Sequence, residues 1–489
     1  MKHKTPLKIK TALTGIFKKL PPYFIRRSKG EGSHMISERI FRAYDIRGVY
    51  GKDLTEEVAK RIGRAIAAYL DGEGETVLVG KDVRHSSEPL ASALTEGMLS
   101  GGLNVEDIGT VTTPLLNFAS VHYGKTGGVM VTASHNPPEW NGFKIWLKTG
   151  FISMGMGMED LRDLALQGRF KPAVRGNLKK NPHAISDYER YVAEKINIER
   201  NLRIVADPGN GSCSLLTPSI FEKTGVEVVA INAEPDGSFP AHPPEPSEET
   251  LTDVKRLVLE KKADFGVGFD GDGDRAVFVD DRGRIVSGTS IFTLLAEDYL
   301  KKNRGAPIVY EVSCSMVIEE IIRAYGGKPV LSRVGHTYIV DKMLKEKAVF
   351  GGETSGHLYF TELYGFDDAI FASLKVAEIL SRRDERLSEI VDSMPRYPRI
   401  PGKKFECPDE VKFKVVDELS EEFKKMGYET LTIDGVKVIE DNGWFLIRAS
   451  NTQPLVRLTV EAKDEDSLNK LASLAEKMIL EKIRSIKKT

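Results

Sequence analysis

Thr132-Ala-Ser-His-Asn-Pro-Pro-Glu-Trp-Asn-Gly-Phe-Lys144 follows a continuous apolar run, Gly128-Val-Met-Val131. The run reads as a short buried strand. Asn136-Pro137-Pro138 can neither continue a strand nor enter a helix interior, so the chain must turn there. Ser134 and His135 therefore stand at the carboxyl end of a strand, where open α/β sheets bind their ligands. Ser134 is a hydroxyl nucleophile or phosphate acceptor in a rigid loop. Lys144 is close enough in sequence to return to the same cleft as a cation or proton donor. Taken alone, the stretch also suits an ordinary turn with a solvated serine. Loops elsewhere decide between the two.

Outward from this stretch, strands and helices alternate. Upstream, Phe41-Arg-Ala-Tyr-Asp-Ile-Arg-Gly48 is a short apolar element bracketed by Arg42 and Arg47. Residues 56–70 carry apolar side chains at helical spacing: Val58, Ile62, Ala65, Ile66 and Tyr69. Residues 76–79 form a strand followed by Lys81-Asp-Val-Arg-His-Ser86, and a helix begins near Ser87. Residues 105–108 form a strand, and Thr113-Pro114 opens another helix. Downstream, strands are predicted at 203–207, 226–231, 263–269, 307–312, 329–332 and 349–351. Helices are predicted at 248–261 and 290–301, and residues 236–246 are a Pro-rich loop. Such alternation predicts mainly parallel sheets with their loops at one end. The order of elements recurs, but no sequence repeat is evident.

Beyond Pro398 the style changes. Short strands at 430–434, 436–440 and 444–448 are joined by Asp434-Gly435 and Asn442-Gly443, both hairpin turn pairs. A helix over 464–483 closes the chain. Residues 397–404, with two prolines, read as the linker to this last unit. The expected fold class is thus three successive mixed or parallel-sheet α/β domains followed by a smaller α+β domain. The boundaries are 35–182, 183–284, 285–396 and 397–489, after a basic extension over 1–34.

Length and composition bound the function. A chain of 489 residues suggests three to four domains at ~150 residues each. Lys plus Arg is 70 and Asp plus Glu is 71, which gives no electrostatic case for nucleic acid or membrane as a general partner. Cys213, Cys314 and Cys407 are odd in number and show no CxxC spacing, so neither a disulfide framework nor a zinc site is expected. A reducing, cytoplasmic setting is the expectation. No run approaches the roughly 20 apolar residues that span a bilayer.

Residues 1–34 differ. They hold nine lysines and arginines, from Lys2 to Lys29, against Glu31 alone. Leu7, Ile9, Leu13, Ile16, Phe17 and Leu20 could form a weak amphipathic face of the membrane-surface kind. Gly32-Ser33-His34-Met35 reads equally as a cloning remnant, with Met35 an alternative start. The segment is expected to lie outside the fold and the function. A chain beginning at Met35 should therefore keep its kcat/KM and melting temperature, and a large loss of either would show that the segment packs on the fold.

Three further loops carry chemistry. Asp270-Gly-Asp-Gly-Asp-Arg275 lies between apolar strands and sets three carboxylates at alternate positions, with glycines that let the backbone fold tightly. This suits a hard cation such as magnesium. An EF-hand is excluded because its sixth position would be Arg275, and because strands, not helices, flank the loop. Gly351-Gly-Glu-Thr-Ser-Gly-His357 presents Glu353, Ser355 and His357 from a Gly-rich strand end. These suit sugar hydroxyls and acid–base work near neutrality. Arg448-Ala-Ser-Asn-Thr452, with Arg457 downstream, gathers phosphate donors. Gly335-His336-Thr337, before a helix, is a weaker phosphate contact.

In this order and at these separations, the loops resemble the α-D-phosphohexomutase superfamily, within it the phosphomannomutase/phosphoglucomutase branch. The matching segments are 41–48, 132–138, 141–144, 270–275, 352–357 and 448–452, and the likeness covers about residue 36 to the end. It implies a four-domain enzyme with its active site in a central cleft. Reversible phosphoryl transfer between the 1- and 6-positions of mannose or glucose phosphates is expected. Ser134 is expected as a phosphoserine whose phosphate joins Asp270, Asp272 and Asp274 around Mg2+, with Arg275 beside them. Arg47, Lys144 and His357 would serve proton transfer and charge stabilisation. Tyr44, His336, Glu353 and Ser355 would hold the sugar, and Arg448, Ser450, Asn451, Thr452 and Arg457 its distal phosphate. Hexose 1,6-bisphosphate is the implied intermediate and activator, and the protein a monomer or small homo-oligomer.

Two features qualify the resemblance. Family members often read Asp-Val-Lys-Cys where this chain has Glu311-Val-Ser-Cys314, so Ser313 replaces a lysine. A phosphoglucosamine mutase is the rival, but that branch usually has Thr-Asp-Gly-Ile-Arg-Gly and Ser-Gly-Thr patterns. Here stand Tyr44-Asp-Ile-Arg-Gly48 and Ser450-Asn-Thr452. A catalytically silent sugar-phosphate-binding relative is the other rival. It would be expected to lose Ser134 or a loop aspartate, and none is lost.

Overall fold

Three parallel strands and one antiparallel return recur three times along the chain. The computed structural model describes residues 36–486 apart from 73, 149, 451 and 452. The expected basic extension therefore falls outside the described residues. In each of the first three units, a first strand pairs in parallel with a second on one side and a third on the other. The first strands are Thr76–Lys81, Arg203–Asp207 and Pro307–Glu311. The third strands, Gly127–Val131, Phe265–Phe269 and Phe350–Gly352, are followed by Trp140–Leu147, Ala276–Asp280 and Leu358–Phe360, which return antiparallel. The reason is loop length. A parallel return needs a crossover of about a dozen residues or more. Loops 132–139, 270–275 and 353–357 are too short for one. The sheets are therefore mixed, and all three loops leave the carboxyl end of a central strand.

The first sheet is extended at both edges by Ile46–Val49, antiparallel to Trp140–Leu147, and by Leu178–Lys180, parallel to Asn104–Thr110. Helices Glu56–Leu70 and Ser87–Ser100 pack against each other through facing glycines, Gly63 and Gly97: a Cβ on Gly97 would sit 2.0 Å from the Lys60 carbonyl oxygen. One apolar core runs from Leu78 and Phe118 through Phe221 and Phe269 to Phe292, Phe350 and Ile379. The first three units are thus fused by burial, each large side chain contributing roughly 1.5–3 kcal/mol.

The fourth sheet is antiparallel, in the order Arg399–Glu406, Leu455–Ala462, Gly443–Ala449, Val436–Glu440, Glu429–Leu431. Helices Lys412–Lys425 and Glu465–Ile486 share a core with one face of it, through Val415, Leu419, Phe423, Ala475 and Ile479. From the other face, Trp444 and Leu446 pack on Val312 of the third unit.

The linker expected at 397–404 is corrected here: Arg399–Glu406 is a strand paired with Leu455–Ala462. Pro401 is tolerated because the strand lies at the sheet edge and its register shifts between Ile400 and Lys403, so no ladder donor is missed. The helix expected from 248 begins at Thr252. Among the described residues no helix is long and apolar enough to cross a membrane.

Candidate active site

Ser134 adopts a left-handed backbone, with φ 52°, immediately after the central strand of the first sheet. Its side chain is buried and its hydroxyl donates to Asp270 Oδ2 at 2.9 Å. Its N–H donates to Thr132 Oγ1 at 2.9 Å. His135 Nδ1 lies 3.4 Å from the hydroxyl, and burial pushes that imidazole down to about 2, so it is neutral. Arg47 braces the same loop, donating to the Ala133 carbonyl at 3.1 Å and to Asn136 Oδ1 at 2.7 Å, and pairs with Asp45.

The loop of the second sheet folds around its own first carboxylate. Asp270 Oδ1 accepts the N–H groups of Gly273, Asp274 and Arg275 at 3.0, 3.1 and 3.2 Å. Arg275 Nε also donates to Asp270 Oδ2 at 3.2 Å. Lys144, buried, donates to Asp272 at 2.7 Å and to Asp274 at 2.5 Å. Thr113, opening the helix Thr113–His122, donates to Asp272 Oδ2 at 2.5 Å. Burial and the neighbouring Asp274 push Asp270 up. Burial also opposes charge on Asp274, but Lys144, His357 and Arg275 prevail and hold it well below the usual carboxylate range. Burial likewise disfavours the Lys144 ammonium, and Asp272 and Asp274 outweigh it, so Lys144 remains a fixed cation.

Asp270, Asp272 and Asp274 each offer a carboxylate oxygen, and these atoms lie within 4.8 Å of one another. Asp272 Oδ1 and Asp274 Oδ1 are buried without a hydrogen-bond partner among the described residues. Buried acceptors without donors are costly. A clustered set of hard oxygens with two of them unsatisfied fits a divalent cation.

The third loop closes with Glu353 N–H donating to the His357 carbonyl at 2.9 Å. His357 Nδ1 lies 2.7 Å from Asp367 and 3.7 Å from Asp274. Burial works against its charge, but Asp274, Asp367 and Glu353 prevail and raise it to about 9. Glu353 is buried, accepts the Tyr359 hydroxyl at 2.7 Å and is pushed up by burial. Ser355 stands exposed at the loop tip. Tyr44 donates to the Val334 carbonyl at 3.0 Å and covers Gly335, where φ is 121° and any Cβ would strike the tyrosine ring at 2.6 Å. His336 stacks near His357 at 6.4 Å between ring centroids, and burial pushes it down to about 3.

In the fourth unit, Arg448 and Arg457 face each other across neighbouring strands. Opposed like charges destabilise a sheet unless an anion sits between them. Arg448 pairs with Asp434 at 2.9 Å, and Asp434 accepts the Val334 N–H at 3.1 Å, which ties this strand end to the His336 loop. Ser450 Oγ accepts the Gln453 N–H at 3.2 Å. Asn451 and Thr452 lie outside the described residues. Ser313 donates to Glu311 at 2.7 Å, and Lys437 reaches the Val312 carbonyl beside it at 2.9 Å.

The structure therefore gathers Ser134, Lys144, Asp270, Asp272, Asp274, Arg275 and His357 into one contact network. Arg47 joins through the serine loop, and Tyr44 and His336 through Gly335. Sequence reading missed Thr113 and Asp367. Asp367 ends the strand Phe366–Asp367 and precedes the N-cap Asp368. Two adjacent acids between a strand and a helix were the available signal.

Models of four parts of one family match the chain. Phosphoglucomutase/phosphomannomutase alpha/beta/alpha domain I matches residues 38–156, domain II 186–283, domain III 287–397 and the C-terminal domain 403–477. A phosphoglucomutase/phosphomannomutase of Thermococcus kodakarensis is 34% identical over 461 residues, covering 91% of this chain and 99% of its own. A phosphomannomutase/phosphoglucomutase of Pseudomonas putida is 36% identical over 452 residues, covering 91% and 96%. Relatives from Methanopyrus kandleri, Pyrococcus abyssi and Methanothermobacter thermautotrophicus, each described as "probable phosphoglucosamine mutase", reach 34–36% identity over 88–91% of this chain. A crystal structure of a phosphoglucomutase/phosphomannomutase family protein from Burkholderia thailandensis superposes with a TM-score of 0.85 at 34% identity, covering 92% of this chain and 98% of that one. With all four parts present in order, the chain belongs to the phosphoglucomutase/phosphomannomutase family.

Proposed function

We propose that this enzyme is a phosphomannomutase/phosphoglucomutase. It moves a phosphoryl group reversibly between the 1- and 6-positions of hexose phosphates, with Ser134 carrying the group between turnovers. One observation carries the reading: the buried Ser134 hydroxyl lies 2.9 Å from Asp270, within a network that also holds two further carboxylates and the Lys144 cation. Phosphoryl transfer needs alignment and charge neutralisation more than covalent chemistry from the protein.

In the forward direction the sugar's free 6-hydroxyl attacks the Ser134 phosphoryl group, the P–O bond to the serine breaks, and a hexose 1,6-bisphosphate forms. The sugar turns over in the cleft. Ser134 then attacks the phosphorus of the 1-phosphate, the P–O bond to the sugar's 1-oxygen breaks, and hexose 6-phosphate departs as product while the serine is phosphorylated again. Protons lost by the attacking hydroxyl are returned to the leaving oxygen. His357, protonated at neutral pH, fits the acid role, with Asp367 holding its other face. Lys144, fixed as a cation, offsets charge. Arg47 and Arg275 add donors at the serine and at Asp270. Asp270, Asp272 and Asp274 would hold Mg2+, which when bound offsets the charge of the transferring group.

Glu353, Ser355, Tyr44 and His336 are assigned to the sugar. The facing Arg448 and Arg457, with Ser450, Asn451 and Thr452, are assigned to the distal phosphate. A clamp of this kind can hold either end of the sugar, as reversal requires. The same reading divides the folded chain at 182/183, 284/285 and 396/397, one loop per unit.

The test is kcat/KM for mannose, glucose and glucosamine 1-phosphates under one condition, with hexose 1,6-bisphosphate present. Glucose and mannose phosphates differ only at the C2 hydroxyl, and a site that does not bond that group leaves no buried partner unpaired when it inverts. Both epimers should turn over within one to two orders of magnitude of each other, against the ~10⁴ reached when a hydroxyl is read directly. Glucosamine phosphate should be poorer. If it is the best substrate, the enzyme belongs to the rival branch. If none is turned over, the assignment falls.

A further inference from the structure

Arg84 stands outside the groups assigned above, yet its side chain is wholly buried beneath the serine loop. It follows Thr76–Lys81, the strand beside Gly127–Val131 in the sheet, so the loops after the two strands rise side by side. Nη2 donates to the carbonyls of Ser134 at 2.7 Å and Asn136 at 2.6 Å. Nη1 donates to those of Pro137 at 2.6 Å and Trp140 at 3.2 Å. Nε donates to Asp82 Oδ2 at 3.0 Å. One planar guanidinium thus accounts for four carbonyls around the turn. Pro137 and Pro138 bring no N–H groups with which the turn could satisfy them internally.

The other end of the same pair reaches the serine as well. Asp82 Oδ2 accepts the Thr132 hydroxyl at 2.7 Å, and Thr132 Oγ1 accepts the Ser134 N–H. Both backbone polar groups of Ser134 therefore end on Asp82 and Arg84. A loop of the second unit covers the pair: the Phe239 ring lies 5.0 Å from the guanidinium carbon, and Gly237 seats against the Val83 carbonyl. A left-handed serine persists only where its surroundings over-determine it.

We propose that Arg84 is the positioning residue of the reaction, holding the carbonyl arc of 134–140 so that the Ser134 oxygen stays aimed at Asp270. The inference rests on Ser134 being the phosphoryl carrier. Lysine cannot substitute, because an ammonium is a point donor and does not span an arc of carbonyls in one plane.

The test is Arg84→Lys, which keeps the charge against Asp82. A misplacement of the reacting atom by about 1 Å costs about a hundredfold. Arg84→Lys should lose kcat on that scale with the hexose phosphate KM nearly unchanged, because the sugar and distal-phosphate contacts lie on other loops. The rate at which hexose 1,6-bisphosphate places a phosphate on Ser134, read by intact mass, should fall in the same proportion. Thr132→Val is the second variant. It leaves Arg84 in place and removes only the hydroxyl between Asp82 and the Ser134 N–H, so it keeps the question open to test if Arg84→Lys does not fold. It should lower kcat without moving KM, by more than any fall in the folded fraction, although the Ser134 N–H left without an acceptor lowers the melting temperature. Unchanged kcat in folded Arg84→Lys, or in Thr132→Val, overturns the inference, as does a loss that only follows the folded fraction. Wild-type protein is the control. If it takes no phosphate on Ser134, the carrier reading fails. If it does and the variants take it equally fast, only the positioning role fails.

Discussion

Ser134→Ala should remove about 10⁴-fold or more of kcat, the scale of loss when a covalent nucleophile is deleted, while the melting temperature changes little. The physical case is local. The hydroxyl bonds Asp270 and, at 3.4 Å, His135, whereas the left-handed backbone is held by contacts to the main chain that alanine keeps. A hydrogen bond to a charged group contributes about 1.5–3 kcal/mol to stability, and Asp270 keeps Arg275 and three backbone N–H groups, so the fold survives its loss. The chemistry does not, because Asp270, Asp272 and Asp274 accept cations but offer no transferable group. Intact mass after incubation with hexose 1,6-bisphosphate should show a phosphate on the wild type and none on the variant. A variant that retains most of its kcat would remove Ser134 from the reaction.

Removing divalent metal with a chelator should abolish turnover, and magnesium should restore it. The charges explain why. Asp270, Asp272 and Asp274 are formally matched in the structure by Lys144, Arg275 and His357. A phosphoserine adds about −1.5 to −2, which this balance leaves uncompensated, and a divalent cation returns it. Asp272→Asn should weaken metal binding by more than the ~10–100-fold that follows loss of a mere outer partner. Metal bound only to the folded state raises the melting temperature by mass action. Magnesium should therefore stabilise wild type and do so far less for Asp272→Asn, a readout independent of turnover. Full activity in excess chelator would refute the metal assignment.

The candidate chemistry was legible where it is local. Asn136-Pro137-Pro138 forces a turn after an apolar run, and Asp270 to Arg275 packs three acids into one glycine-rich turn. Both are consequences of neighbours along the chain. Strand positions such as Arg203–Asp207 were legible for the same reason, since a short apolar run between turn formers leaves little choice. Arg399–Glu406 was misread because Pro398 and Pro401 argue locally for a linker. Only the partner strand, more than fifty residues on, shows that Pro401 sits at an edge where no donor is missed.

The sequence by itself thus determined the alternation of elements, the four loops and the kind of atom each presents: a hydroxyl, clustered carboxylates, an imidazole and paired guanidinium groups. These follow from residue type and short-range geometry. Tertiary structure alone decided that three loops leave equivalent strand ends, and that Lys144 spans Asp272 and Asp274. It also decided that Thr113 and Asp367 enter the site and that Arg84 lies beneath the serine. Each of those is a contact between side chains far apart in the chain. A buried charge declares its role only when its partner is present, because the same arginine is a solvated surface group in water and a fixed donor once desolvated beneath a loop of carbonyls.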